Sequence, residues 1–97
     1  FEYEVMMLNE PNWCEPESEL TGIVKRNASE LTGIEPASVI GLGNTDARLW
    51  RYAGVPAVVY GPAPRGMGSV DENVPLEEMF AVIRCHLLSA YDYLTTD

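Results

Sequence analysis

The chain has 97 residues, 46% of them hydrophobic, with 15 acidic against 6 basic side chains and a formal net charge of −9. That length holds one domain at most, and a field of that sign repels phosphate backbones and anionic lipid, which argues against nucleic acid and membranes as partners. No apolar run approaches the ~18 residues that cross a bilayer.

Cys14 and Cys85 lie far apart with no Cys-x-x-Cys pairing, so neither a zinc knuckle nor a disulfide framework is indicated, and reduced thiols of a cytoplasmic protein are expected. No basic segment followed by an apolar core begins the chain, as a signal peptide would. Residues 2–8 alternate at first (Glu2 and Glu4 against Tyr3 and Val5) and end apolar (Met6, Met7, Leu8), the pattern of a strand with a buried face. Because this run starts at Phe1 rather than Met, the chain is expected to be a piece of a longer protein. Pro11 and Pro16 deny residues 11–17 a helix or a central strand, since neither has an amide donor, and this stretch reads as a linker. Trp13 within it has two readings, an aromatic pinning the linker to the core or a ligand contact.

Ser18 can cap a helix whose apolar positions Leu20, Ile23, Val24, Ala28 and Leu31 form one stripe, with Gly33 ending it in a left-handed conformation. Residues 38–42 are apolar on both sides (Val39, Ile40, Leu42), as in an interior strand of a parallel sheet. The turn Gly41-Leu42-Gly43-Asn44-Thr45 leads into a short helix over 46–53, capped by Asn44 or Thr45 and buried through Leu49, Trp50 and Ala53. Gly54 and Pro56 stop it, and residues 55–60 return as a parallel strand through a right-handed crossover. The loop 61–73 is rich in Gly and Pro and is of the kind that carries sites at the carboxyl ends of parallel strands. After Pro75 a final helix places Leu76, Met79, Phe80, Ile83, Leu87, Ala90, Tyr91 and Leu94 on an apolar stripe. The fold class read from this order is α/β, with parallel-type strands and helices packed on the sheet.

Side chains for self-contained chemistry are scarce. His86 is the one histidine, and its helical neighbours Val82, Ile83, Ala90 and Tyr93 are not acids, so it reads as a helix-surface residue rather than a ligand or general base. No pattern of a serine, cysteine or metal hydrolase is present, so no catalytic or metal-ligating residue is assigned. The Gly41–Thr45 turn either presents backbone amides to a carboxylate or phosphate or is an ordinary connector. Asp71 and Glu72 serve acid/base or cation chemistry, or are solvated and cap the next helix. Arg48 and Arg51 read as surface ion-pairing residues.

The order of motifs carries a resemblance. Gly43-Asn44-Thr45-Asp46-Ala47-Arg48, then residues 53–62 from Ala53-Gly54-Val55-Pro56 to Tyr60-Gly61-Pro62, then Ser69-Val70-Asp71-Glu72-Asn73-Val74 before a long helix resemble the C-terminal part of the zinc-dependent amidohydrolases. That family includes acetylornithine deacetylase, succinyl-diaminopimelate desuccinylase, aminoacylase and glutamate carboxypeptidases. The resemblance implies a fragment of a two-domain zinc-exopeptidase-like fold. Residues 1–10 would be the last strand of a truncated lid or dimerisation domain, 11–17 a linker, and 18–97 the C-terminal portion of the catalytic domain. It implies a zinc cofactor and a small N-acyl amino acid or peptide substrate for the full-length parent, with the ligands and catalytic glutamate upstream. The chain alone is then expected to be inert and to hold no zinc.

Gly43, Asn44 and Thr45 fall where members of that family contact the substrate. Gly68 falls where they have a zinc-binding histidine, with Ser69, Asp71 and Glu72 beside it; glycine has nothing with which to coordinate. This departure motivates the alternative of a non-catalytic binding or assembly module on the same scaffold. Apolar positions in excess of the partners available within the chain lead to the further expectation of a homo-oligomer.

Overall fold

The computed structural model describes residues 1–95; Thr96 and Asp97, the end of the 18–97 portion, lie outside the described residues. The described residues form three helices, α1 (Glu19–Thr32), α2 (Ala47–Tyr52) and α3 (Leu76–Thr95), joined by long irregular segments. The expected parallel sheet does not form. Among the described residues the one β-bridge joins Arg65 and Asn73, and residues 2–8, 38–42 and 55–60 have no ladder partner. Sequence pattern records how well side chains suit a pleated, half-buried surface, but a strand exists only where a neighbour supplies amides and carbonyls. Here the side chains stay outside instead, with Val39, Ile40 and Leu42 all exposed.

The first helix forms as its sequence dictates. Ser18 adopts an extended conformation and its hydroxyl accepts from the Thr21 amide at 3.2 Å, which satisfies one of the amides left over at the helix start. Gly33 closes it at φ 71°, donating its amide to the Ser29 carbonyl at 2.8 Å. The second helix is shorter than expected and is capped differently. Asp46, not Asn44 or Thr45, occupies the cap position, and its side chain makes no capping bond. Leu49, Trp50 and Ala53 were expected to be buried and are instead exposed, because no sheet lies beneath them.

Helices α1 and α3 are the one pair in contact among the described residues. Their seam is small and polar: Ile23, Ala28 and Cys85 are its buried apolar members, beside Thr21, Asn27 and Ser89. The Asn27 amide donates to Ser89 Oγ at 3.2 Å and to Asp92 Oδ2 at 3.0 Å, and Arg26 pairs with the same carboxylate at 2.9 Å. The large apolar stripe expected to be the buried face of α3 is turned outward, with Leu76, Phe80, Ile83, Leu87 and Leu94 exposed. The molecule is a slab of 54 × 40 × 19 Å whose radius of gyration, 16.2 Å, exceeds the roughly 13 Å of a compact chain of this length. Its 8163 Å² of accessible surface likewise exceeds the roughly 5,500 Å² of a compact protein of this mass.

Candidate functional site

The irregular segments border an open-sided cavity of 770 Å³. Its floor comes from α1 (Thr21, Val24, Lys25), and its walls come from the linker (Asn12, Trp13, Cys14, Pro16), residues 36–45, Arg51 of α2 and residues 57–60. Few hydrogen bonds hold these walls. Arg51 Nε donates to Asn12 Oδ1 at 2.8 Å and its Nη1 to the Ala57 carbonyl at 2.8 Å, so one guanidinium ties the linker, α2 and the 57–60 wall together. Asn12 returns a bond to the Arg48 carbonyl at 3.0 Å, and the Tyr52 hydroxyl donates to the Glu10 carbonyl. On the other side His86 Nε2 donates to the Tyr60 carbonyl at 2.8 Å, fastening that wall to α3. His86 therefore tethers that wall from the exposed surface of α3. Arg51 corrects the ion-pair reading, since both groups it bonds are neutral.

Of the residues assigned to substrate binding, Gly43 and Thr45 line this cavity and Asn44 does not. The Thr45 carbonyl is engaged, accepting from the Arg48 amide at 3.2 Å and from Arg48 Nη1 at 2.9 Å. Arg48 also reaches Asp46 at 3.3 Å, as an ion-pairing residue would, while its Nε is buried without a partner. Trp13 is 60% exposed, so it does not pin the linker into a core; it contributes to the cavity lining instead. Sequence reasoning missed Lys25, which lies off the apolar stripe of α1. The signal that could have found it was position: it follows Val24 and lies one helical turn beyond Thr21, and both of these line the cavity.

Gly68, Ser69, Asp71 and Glu72 do not line the cavity. They sit in a closed turn between Arg65 and Asn73, which exchange backbone bonds of 2.8 and 3.1 Å. The turn is built on left-handed residues, Gly66 at φ 65°, Gly68 at φ 76° and Asp71 at φ 62°. Ser69 Oγ donates to the Gly66 carbonyl at 2.6 Å, and the Glu72 carboxylate accepts from the Gly68 amide at 3.2 Å. Glu78 of α3 anchors the strap, accepting from the Ala63 amide at 3.2 Å and pairing with Arg65 at 3.7 Å.

These residues do not fit zinc as they stand. Gly68 offers no donor, one oxygen of the Glu72 carboxylate accepts from a backbone amide, and no group of three or more His, Cys, Asp or Glu side chains converges among the described residues. Likewise, no helix among them is long and apolar enough to cross a membrane.

Two thiols differ in setting. Cys85 is buried against α1, its Sγ 3.7 Å from the Val24 carbonyl, and burial pushes its pKa up; Cys14 is half-buried at the cavity, 3.4 Å from Ser18 Oγ. Burial, with a smaller contribution from Cys85, also raises the phenol of Tyr60. Compared with protein-family models, curated proteins and solved structures, the chain matches none of them.

Proposed function

We propose that the chain is the C-terminal part of a cytoplasmic, metal-dependent amidohydrolase that acts on N-acyl amino acids or small peptides, and that it supplies one wall of the substrate site. On this reading residues 1–10 belong to a lid or dimerisation domain, 11–17 to a linker and 18–97 to the catalytic domain. The metal ligands and the catalytic glutamate come from chain outside these residues, and the parent is a homo-oligomer. In the parent, ligands outside these residues would hold zinc, whose chemistry there would be to lower the pKa of a bound water. The observation that carries the reading is the meeting of the Gly43-Asn44-Thr45 motif, through Gly43 and Thr45, with a cavity large enough for such a substrate. The test is zinc content and amide hydrolysis of the full-length parent across a panel of N-acyl amino acids. Zinc-dependent turnover, lost with a chelator and absent from the 97-residue chain alone, is the expected result; no turnover with zinc bound overturns it.

A second reading, a binding or assembly module without catalysis, is favoured by the turn at Gly68, where the expected ligand position has no side chain and Glu72 accepts from the Gly68 amide. The same assay separates the two, because only this module predicts ligand binding without hydrolysis by the parent.

A further inference from the structure

We propose that the outward face of α3 is a self-docking surface, on which a second copy of this chain packs antiparallel about a two-fold axis at Cys85. This dimer supplies a contact surface for the homo-oligomer of the reading above and draws on none of the site assignments.

The spacing of the stripe carries it. Leu76, Phe80, Ile83, Leu87, Ala90 and Leu94 follow one another at intervals of four, three, four, three and four, the repeat by which one helix keeps a continuous seam against another. All six are exposed, the five large ones between 48% and 81%. At 3.6 residues per turn they lie within about 40° of the line opposite Cys85, which is buried against α1. One helix can therefore hold α1 on one side and a further helix on the other.

The order of side-chain sizes says which helix. The six positions are symmetric about Cys85, lying two, five and nine residues to either side of it. With the axis there, Leu76 meets Leu94 of the second copy, Phe80 meets Ala90 and Ile83 meets Leu87. The one ring on the stripe thus falls opposite its one small residue, and no layer is overfilled. A parallel pair would set Phe80 on Phe80 and Ala90 on Ala90, one layer crowded and one hollow. Antiparallel packing also opposes the two helix dipoles.

Surface area is ample for such a contact. The 8163 Å² of accessible surface exceeds that of a compact chain by about 2,600 Å², and a stable interface takes about 800 Å² from each partner. Charge limits the strength. Each copy carries a net charge of −9, and the axis brings Arg84, which makes no ion pair among the described residues, beside Arg84 of the second copy. Both repulsions are screened by salt, and they hold the dissociation constant to about 10 μM. Well below that concentration the chain is a monomer, whose stability a change on the outer face leaves nearly untouched.

The test is sedimentation equilibrium of the 97-residue chain from about 1 to 200 μM. A monomer–dimer equilibrium is expected, tightening about tenfold between low salt and about 0.5 M. Leu87→Glu is expected to weaken it about a hundredfold or more, since the carboxylate would be buried in the seam. Arg84→Glu mixed with the unaltered chain is expected to give heterodimer in excess of either homodimer, because this register sets position 84 against itself. In a Cys14→Ser background, Leu76→Cys and Leu94→Cys chains are expected to cross-link to each other on oxidation and neither to itself, the two positions being about 27 Å apart on one helix. A monomer at every concentration, a dimer indifferent to Leu87→Glu, or self-cross-linking of Leu76→Cys overturns the proposal. This dimer in a parent that hydrolyses no amide refutes the amidohydrolase reading alone, and hydrolysis by a parent whose 97-residue chain stays monomeric refutes the dimer alone.

Discussion

The two faces of α3 are built from opposite materials. Against α1 it places Cys85 and Ser89, small and nearly wholly covered, with Asp92 at the edge held by Asn27 and Arg26; away from α1 it places Leu76, Phe80, Ile83, Leu87 and Leu94, all exposed. Small residues allow close approach of two helices and polar ones fix their register, so the covered seam is specific while burying little apolar surface. The outer stripe has the converse character. It leaves ample apolar area exposed among the described residues, as expected of a surface that another body covers. Substitutions on the two faces should therefore act on different observables.

The largest effect is expected at Ala28, which is 1% exposed between the helices. Ala28→Leu forces the seam apart and should destabilise the chain by about 3 kcal/mol, the upper end of overpacking costs, measured by urea denaturation. Asn27→Ala removes the donor that serves both Ser89 and Asp92 and should cost about 2 kcal/mol in the same assay.

Asp92 gives a smaller, pH-dependent effect. Hydrogen bonds from Asn27 and then Arg26 hold its carboxyl below the usual carboxylate range. A depressed folded-state pKa means that the stabilisation is fully present above the unfolded value, about 4, and is lost as pH falls through the folded one. Asp92→Asn should lower the melting temperature at pH 6, and the difference from the parent sequence should vanish in strong acid. The smallest change in stability belongs to the outer face: Leu87→Glu, at a site 70% exposed, should alter it by less than about 0.5 kcal/mol while reducing binding of an apolar dye such as ANS. A loss of stability like that of Asn27→Ala would erase the distinction between the faces.

The sequence made the helices legible because their signals are local. Ser18 and Gly33 bracket α1 through bonds to residues three or four positions away, and the 3.6 period of α3 needs no knowledge of its surroundings. The sheet was misread because β structure depends on contacts remote in sequence. Val39, Ile40 and Leu42 meet every compositional demand of an interior strand, but among the described residues no partner strand pairs with them. The same limit applies to faces, since periodicity marks the apolar stripe of α3 without saying that its smaller neighbours would meet α1.

At the candidate site the motif marked the Gly43 turn, of which Gly43 and Thr45 border the cavity and Asn44 does not. The turn from Gly68 to Glu72 was grouped with it by resemblance, and the fold keeps it out of the cavity lining. Lys25 and Arg51 were hidden as cavity residues for a related reason: a cation on an acidic chain looks solvated until the segments around it are placed.

The most direct test of the whole arrangement is amide hydrogen exchange on the 97-residue chain, free and with N-acetylleucine. Slow exchange in α1 and α3, fast exchange through residues 36–45 and 55–60, and gained protection at Gly43, Thr45 and residues 57–60 with the ligand are expected. Slow exchange through those segments in the free chain, or no change on adding the ligand, would contradict a molecule built from one packed helix pair beside a substrate wall of unpaired segments.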